Sequence, residues 1–317
     1  MDNSFSLLNC SRRVLAPAKI NLHLEVLGIR SDGFHELAMV MQSINVFDSI
    51  DITPTENGVI KLTSNDLTLS TSEDNLILRA ANAIRSKAGL NHLGAVIHLT
   101  KNIPIGAGLA GGSSDAAATL FGLNSLWKLN FSNDQLAILA AEIGSDVPFC
   151  LAGGTQLCFG RGEVLEPLNN FNSSMGVVLV KDPLVEVSTP WAYEIYKKNH
   201  QKNYLSAEVD FEVKRKELRD SKWITTTGLN NPPPLTNDLQ NVVAPVTPAV
   251  EKSLEFLSSL EGSISRAMSG SGPSCFALFP DLLTAQRSLQ KRNKELVSLG
   301  LNCWCCAFKA NGVSFDL

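Results

Sequence analysis

Residues 14–28 alternate, with Ile20, Leu22, Leu24 and Val26 on one side and Asn21, His23 and Glu25 on the other. This two-residue period predicts a half-buried strand. At Asp74-Asn75 the period changes: Leu76, Ile77, Ala80, Ala81, Ile84 and Ala88 recur at helical spacing, and Gly89 marks the helix end. A strand over 95–100, a glycine-rich turn over 103–112 and an alanine-rich helix over 113–127 follow, with Ser113 or Ser114 as the expected cap. Ser132 or Asn133 caps a further helix over 134–143.

Past a polar stretch at 169–174 the pattern reads strand (176–181), helix (190–198), helix (248–260), strand (264–268), strand (274–279), helix (282–299) and strand (302–308). Setting one helix aside, the order is βαββαβ, the signature of a ferredoxin-like layer of helices on an antiparallel sheet. The expected fold class is therefore α+β in two domains, 1–170 and 171–317, with a boundary near residue 170. A polar, charged insert at 199–231, ending in Pro232-Pro233-Pro234, is expected to form a surface excursion with some helix.

Composition agrees with this division. A chain of 317 residues is long enough for two cores, and 44% hydrophobic with 18% charged residues excludes a disordered chain. Lys plus Arg is 27 against 31 Asp plus Glu, a net charge of −4, which disfavours a general nucleic-acid or anionic-membrane surface. Apolar runs such as 177–180 are too short to span a bilayer. Residues 1–13 hold no apolar signal core, so a cytoplasmic location is expected. The 7 cysteines are irregularly spaced, unlike a disulfide framework. Cys303-Trp304-Cys305-Cys306 contains a C-x-x-C but no second pair or nearby histidine, and reads as a buried strand with apolar thiols.

The richest chemistry lies in Pro104-Ile105-Gly106-Ala107-Gly108-Leu109-Ala110-Gly111-Gly112-Ser113-Ser114. Glycine lets backbone N–H groups approach phosphate oxygens, and a helix N-terminus just beyond adds unpaired donors. A Walker A loop would need a lysine after the last glycine, where Ser113 stands. Gly106-x-Gly108-x-x-Gly111 formally matches a dinucleotide fingerprint, yet no run of βαβ units surrounds it. A tight turn without ligand is the bland alternative.

The same segment resembles the phosphate loop of the GHMP small-molecule kinase superfamily. Pro17-Ala18-Lys19-Ile20-Asn21-Leu22 and Ser269-Gly270-Ser271-Gly272-Pro273-Ser274 match that superfamily's outer motifs in order. Within it, Ser31-Asp32-Gly33-Phe34-His35-Glu36-Leu37, Asp74-Asn75-Leu76-Ile77 and Gly144-Ser145-Asp146-Val147-Pro148-Phe149 resemble the 4-diphosphocytidyl-2-C-methyl-D-erythritol kinases. The resemblance spans about 14–309. It implies an N-terminal α/β domain similar to a ribosomal-protein domain, a C-terminal ferredoxin-like domain, and transfer of the ATP γ-phosphoryl group, with Mg2+, to the 2-hydroxyl of 4-diphosphocytidyl-2-C-methyl-D-erythritol. A bacterial cytoplasm, a small-molecule substrate and a monomer or weak dimer follow as expectations. Rival readings are a homoserine or mevalonate kinase of the superfamily, or a nucleotide-binding protein without catalysis.

Phosphoryl transfer needs alignment of a hydroxyl and neutralisation of spreading charge. By the resemblance, Asp146 is the general base and Lys19 offsets charge beside it. Alone, each would read as a turn carboxylate and an exposed strand lysine; their coincidence with the glycine loop reverses that. The N–H groups of 106–114 would hold phosphates, with Ser113 and Ser114 as hydroxyl donors or magnesium contacts, and no metal ligand set is otherwise predicted. Asn75, Leu76 and Lys101 would border adenine. Phe34 would stack on cytosine, His35 would bond its edge, and Asn21 would position the erythritol or the substrate phosphates. The turn at 270–272 would lie against the site. Residues 187–189 and 236–239 also resemble superfamily segments, the first expected to border the substrate, without assigned roles. Ala110 stands where many members have glycine, which a negative φ would accommodate, and Phe34 where many have tyrosine.

Overall fold

The computed structural model describes residues 11–168, 175–225 and 232–316. The expected boundary near 170, residues 1–10 and the last part of the insert (226–231) lie outside them. In chain order the elements are β1 (Arg12–Ile29), β2 (His35–Thr55), β3 (Ile60–Ser64), α1 (Leu76–Ala88), β4 (Gly94–Thr100), α2 (Gly111–Leu126), α3 (Asn133–Ile143), α4 (Val147–Ala152), β5 (Thr155–Gly160) and β6 (Val164–Pro167). There follow β7 (Gly176–Lys181), α5 (Thr189–His200), α6 (Glu208–Arg219), α7 (Lys222–Thr225), β8 (Thr236–Asn237), α8 (Gln240–Val243) and α9 (Pro248–Ser258). The chain ends with β9 (Ser265–Met268), β10 (Cys275–Phe279), α10 (Leu282–Lys291), α11 (Asn293–Ser298), β11 (Asn302–Ala307) and β12 (Ser314–Phe315).

The fold is α+β, built on two sheets. In the larger, β2 pairs with β1 along one edge and, along the other, with β5 over its first part and β4 over its second. Buried on both faces through much of its length, β2 shows no alternation over that stretch, so sequence periodicity missed it. The smaller sheet runs β11-β7-β10-β9, all antiparallel, with α9 to α11 on one face. This is the ferredoxin-like order expected of a βαββαβ chain. The division between sheets is not a clean cut, because β8 and β12 from the far half pair with β1.

The apolar pattern builds two cores. Val178, Val180, Ala277 and Phe279 pack under the helices, while Val177, Leu179, Phe276 and Leu278 meet Ala18, Ile20, Leu22 and Val40 of the larger sheet. Contrary to the single alternating face expected for 14–28, Ile20 and Leu22 enter one core and Leu24 and Val26 the other. The cause is a register shift between Asn21 and His23 that skips Leu22. An extra residue moves every later side chain to the opposite face.

Three further expectations change. The helix expected at 282–299 breaks at Arg292 into α10 and α11. The helix expected from Ser113 starts at Gly111, and neither serine caps it: the N-cap is Ala110, whose φ of 55° is not the negative one that would accommodate alanine without strain. The insert has the helix expected of it, α6 and α7, but is not confined to the surface, since Phe211, Leu218 and Trp223 are buried in the core shared with Leu27 and Phe159. Elsewhere the end signals hold: Asn75 and Gly89 bracket α1, and Ser132 forms a capping box with Gln135. Cys303 to Cys306 lie in β11, with Cys306 buried and Cys303 and Cys305 half-buried. Among the described residues no helix is long and apolar enough to cross a membrane.

Candidate active site

The bulge at Leu22 puts Lys19, Asn21 and Leu24 on one wall of a cavity of about 850 Å³, a volume typical of ligand clefts. Phe34, His35, Asn75, Leu76, Lys101, Asp146 and residues 104–113 also line it, so the sequence-predicted site residues converge with one exception. That exception is Ser114. Its hydroxyl is fully buried and donates to the Pro17 carbonyl at 2.7 Å, which ties α2 to β1 and leaves nothing for a ligand.

The glycine segment turns its carbonyls toward the protein. Leu109 O accepts from Lys19 N (3.1 Å), Gly108 O from Ser269 Oγ (3.0 Å) and Ala110 O from Ser114 N (2.9 Å). Among the described residues nothing accepts from the N–H groups of 105–113. Unpaired donors at a helix N-terminus form an anion cradle. Gly108, at φ 73°, packs so tightly on the 269–272 turn that a Cβ there would collide with the Ser269 carbonyl. The central and last glycine motifs are thus in direct contact.

Asp146 occupies the N-cap position of α4 but makes no side-chain capping bond. Its Oδ2 lies 3.7 Å from Lys19 Nζ, whose side chain is 6% exposed. Lys19 Nζ also donates to Asn21 Oδ1 at 2.7 Å, and Asn21 Nδ2 contacts Met39 Sδ at 3.5 Å. A neutral amide therefore fixes the ammonium beside a partly exposed carboxylate.

On another wall, Lys101 is clamped between two buried carboxylates, Asp48 and Asp115, the latter at 3.0 Å. Burial lowers the Lys101 pKa, but Asp115 and Asp48 outweigh it and leave it raised. Burial pushes Asp115 up to about 8, against the pull of Lys101. Asp48 also accepts from Asn102 N (2.6 Å) and Ile103 N (2.8 Å), which anchors the approach to the glycine loop. The Asn75 side chain is likewise engaged: Oδ1 accepts from Ile77 N (2.9 Å) and Nδ2 donates to Ser70 O (2.6 Å). Both residues border the cavity with their polar groups already committed.

The Phe34-His35 wall is aromatic. Phe34 is 54% exposed at the end of a tight turn whose Gly33 adopts φ 85°. The His35 ring stacks on Tyr193 (centroids 5.0 Å) and meets the edge of Tyr204 (5.8 Å). Burial, and then the charge of Lys197, lower the His35 pKa, so the imidazole is neutral near pH 7.

Sequence reasoning missed Tyr193 and Arg161 among the lining residues, whereas it placed 187–189 and 270–272 at the site. Tyr193 follows the segment 187–189 on α5, and Arg161 holds its guanidinium 5.0 Å from the Phe34 ring centroid. Thr189 Oγ1 bonds Ser271 Oγ across the opening at 2.8 Å. Asn237 grips the carbonyls of Met268 (2.7 Å) and Gly270 (2.9 Å), and so holds the last glycine turn. The motifs at 187–189 and 236–239 were the available signals.

Comparison with known proteins places these features in a family. The GHMP kinases N terminal domain matches residues 75–154, and the GHMP kinases C terminal domain matches 227–297. A 4-diphosphocytidyl-2-C-methyl-D-erythritol kinase of Prochlorococcus marinus is 62% identical, over 100% of both chains. One from Synechococcus sp. is 55% identical over 95% of this chain and 98% of its own. A crystal structure of 4-(cytidine 5'-diphospho)-2C-methyl-D-erythritol kinase superposes with TM-score 0.70 at 29% identity, over 93% of this chain and 98% of the other. Homoserine kinase from Cytophaga hutchinsonii superposes with TM-score 0.73 at 19% identity, over 99% and 100%, a likeness of fold.

Proposed function

The chain belongs to the 4-diphosphocytidyl-2-C-methyl-D-erythritol kinases of the GHMP kinase family, and from that premise we propose how its cavity performs the reaction. It transfers the γ-phosphoryl group of ATP to the 2-hydroxyl of 4-diphosphocytidyl-2-C-methyl-D-erythritol, giving ADP and the 2-phosphate, a step in methylerythritol phosphate synthesis of isoprenoid precursors. A homoserine or mevalonate kinase, or a protein without catalysis, is not favoured.

The observation that carries the proposed roles is the Lys19–Asp146 pair beside a loop of unpaired N–H groups. The loop N–H groups from 106 to 113 hold the phosphates of ATP, with Leu76 and the committed Asn75 and Lys101 shaping the adenine side. Phe34 and His35 take the cytosine. The substrate hydroxyl gives its proton to Asp146 as its oxygen bonds to the γ-phosphorus and the bridging P–O bond to ADP breaks. Lys19, held by Asn21, neutralises charge that gathers on the transferring group.

Magnesium fits this site. Asp115 Oδ1 is buried without a partner among the described residues, and Ser113 stands beside it at the start of α2. Mg2+ needs only one or two carboxylates when phosphates and water complete its shell. Ser113 and Asp115 would hold it, the ion displacing the proton that burial otherwise keeps on Asp115, and the ion would neutralise phosphate charge. The test is ADP release with Mg·ATP and the cytidine substrate beside mevalonate and homoserine. Turnover with the cytidine compound alone, lost in Asp146→Asn, is the expected result; turnover kept by Asp146→Asn removes that residue from the reaction.

A further inference from the structure

The insert reaches the substrate wall by two routes. At its start, Leu205 N donates to Leu27 O at 2.9 Å, and the neighbouring Tyr204 sets its ring edge against His35. Further on, α6 packs its Phe211 and Leu218 into the core that the larger sheet shares with the smaller one, and sends Arg215 to Glu36, the residue after His35. Glu36 is 1% exposed. Its Oε1 accepts from Arg215 Nη2 (2.5 Å), Arg215 Nε (3.2 Å) and Gly160 N (3.1 Å), while Oε2 accepts from Arg30 Nη1 (3.0 Å). One carboxylate therefore joins the start of β2, the end of β5 and the insert.

Those two strand ends carry the substrate wall. Phe34 and His35 precede Glu36, and Arg161, over the Phe34 ring, follows Gly160. A buried carboxylate keeps its place only while its donors are present. Arg215 supplies a two-nitrogen contact and is itself held by Glu208 (2.6 Å) and Glu212 (3.3 Å) on the outer side of the helix.

We propose that Arg215 is a positioning residue for substrate binding: by fixing Glu36 it sets the placement of His35 and of the 160–162 turn, and the insert braces the cytidine end of the cavity. The proposal rests on the reading of Phe34 and His35 as the base-binding pair. It predicts a defect weighted toward one substrate, since the glycine loop and the Lys19–Asp146 pair lie on other elements and only Gly162 of the turn approaches Asp146.

Steady-state kinetics on the full chain test it, with four variants. Arg215→Met is expected to raise KM for the cytidine substrate roughly tenfold, as small misplacements of binding groups do, with KM for ATP and kcat within about twofold. Arg215→Lys, which keeps the charge but not the paired contact, should fall between, and it decides the question if Arg215→Met does not fold. Arg219→Ala loosens the same helix, because Arg219 holds Glu166 (2.8 Å) and Glu212 (2.7 Å) and covers the Phe159 ring, yet it bonds neither Glu36 nor Arg215. It should lower Tm and leave KM unchanged. Equal KM rises in the Arg219 and Arg215 variants would mean simple undocking of the helix and overturn the proposal. His35→Ala separates the two levels: a KM rise there with none in the Arg215 variants overturns the brace alone, whereas no rise in His35→Ala overturns the base-binding reading and the brace with it.

Discussion

Lys19 Nζ and Asp146 Oδ2 stand 3.7 Å apart, although they come from the first strand and from the turn before α4. The Asp146 carboxylate serves no helix cap, so the structural effect of its removal is the loss of a counter-charge for buried Lys19. Asp146→Asn is expected to lower kcat roughly 10²- to 10⁴-fold, the range for loss of a general base, with KM for ATP within about twofold. Single-turnover kinetics and nucleotide titration measure the two effects separately.

Gly108→Ala places a methyl group on the Ser269 carbonyl and demands a positive φ of an alanine. Strain of this kind costs on the order of 1–3 kcal/mol, and relief requires the glycine loop and the 269–272 turn to separate. A Tm several degrees lower and a higher KM for ATP are expected, read by thermal melts and initial rates.

The reverse change is available next door. Ala110 already carries the strain of φ 55°, so Ala110→Gly should stabilise the protein by about 0.5–1 kcal/mol. Urea unfolding with an unchanged m-value is the measurement.

The carboxylates around Lys101 are unequal. Lys101→Met strands two buried acids and should cost about 3–5 kcal/mol. Asp48→Asn should cost more than Asp115→Asn, because Asp48 also accepts two backbone N–H bonds. Folded Asp115 keeps its proton up to about 8 whereas the unfolded chain loses it near 3.8. Stability therefore falls as pH rises between those values, and Asp115→Asn should flatten the slope.

His35 titrates in the opposite sense. Its folded pKa lies below the ordinary 6.5, so its neutral form persists through neutrality. KM for the cytidine substrate should be flat above pH 6.5 and rise below it. Stability contributed by neutral His35 is present above 6.5 and is lost as pH falls through that value toward the folded pKa. A KM profile that bends above pH 7 would contradict this.

What could be read from the chain depended on range. Local signals worked: Asn75 and Gly89 bounded α1, and the βαββαβ order of the second half emerged from period changes alone. Motif resemblance gathered the cavity residues before any geometry. Failures came where a side chain answers to a distant partner. Ser114 reads as a ligand-facing hydroxyl until the Pro17 carbonyl is seen beside it, and the face of Leu24 depends on a bulge that only pairing with β2 creates. The insert looked like surface because its buried positions, Phe211, Leu218 and Trp223, are few among charges, and Arg215 finds Glu36 far along the sequence.

The edge of β1 away from β2 is completed by pieces from across the chain: β12 at Val14 and Leu15, the glycine loop at Lys19, β8 at His23 and Leu24, and the insert at Leu27. During synthesis the first strand therefore waits with an open edge until β12 has left the ribosome. An open edge invites pairing with other chains, and contacts of such long sequence separation form slowly. The cavity wall formed by Lys19, Asn21 and Leu24 is thus among the last parts of the molecule to be completed.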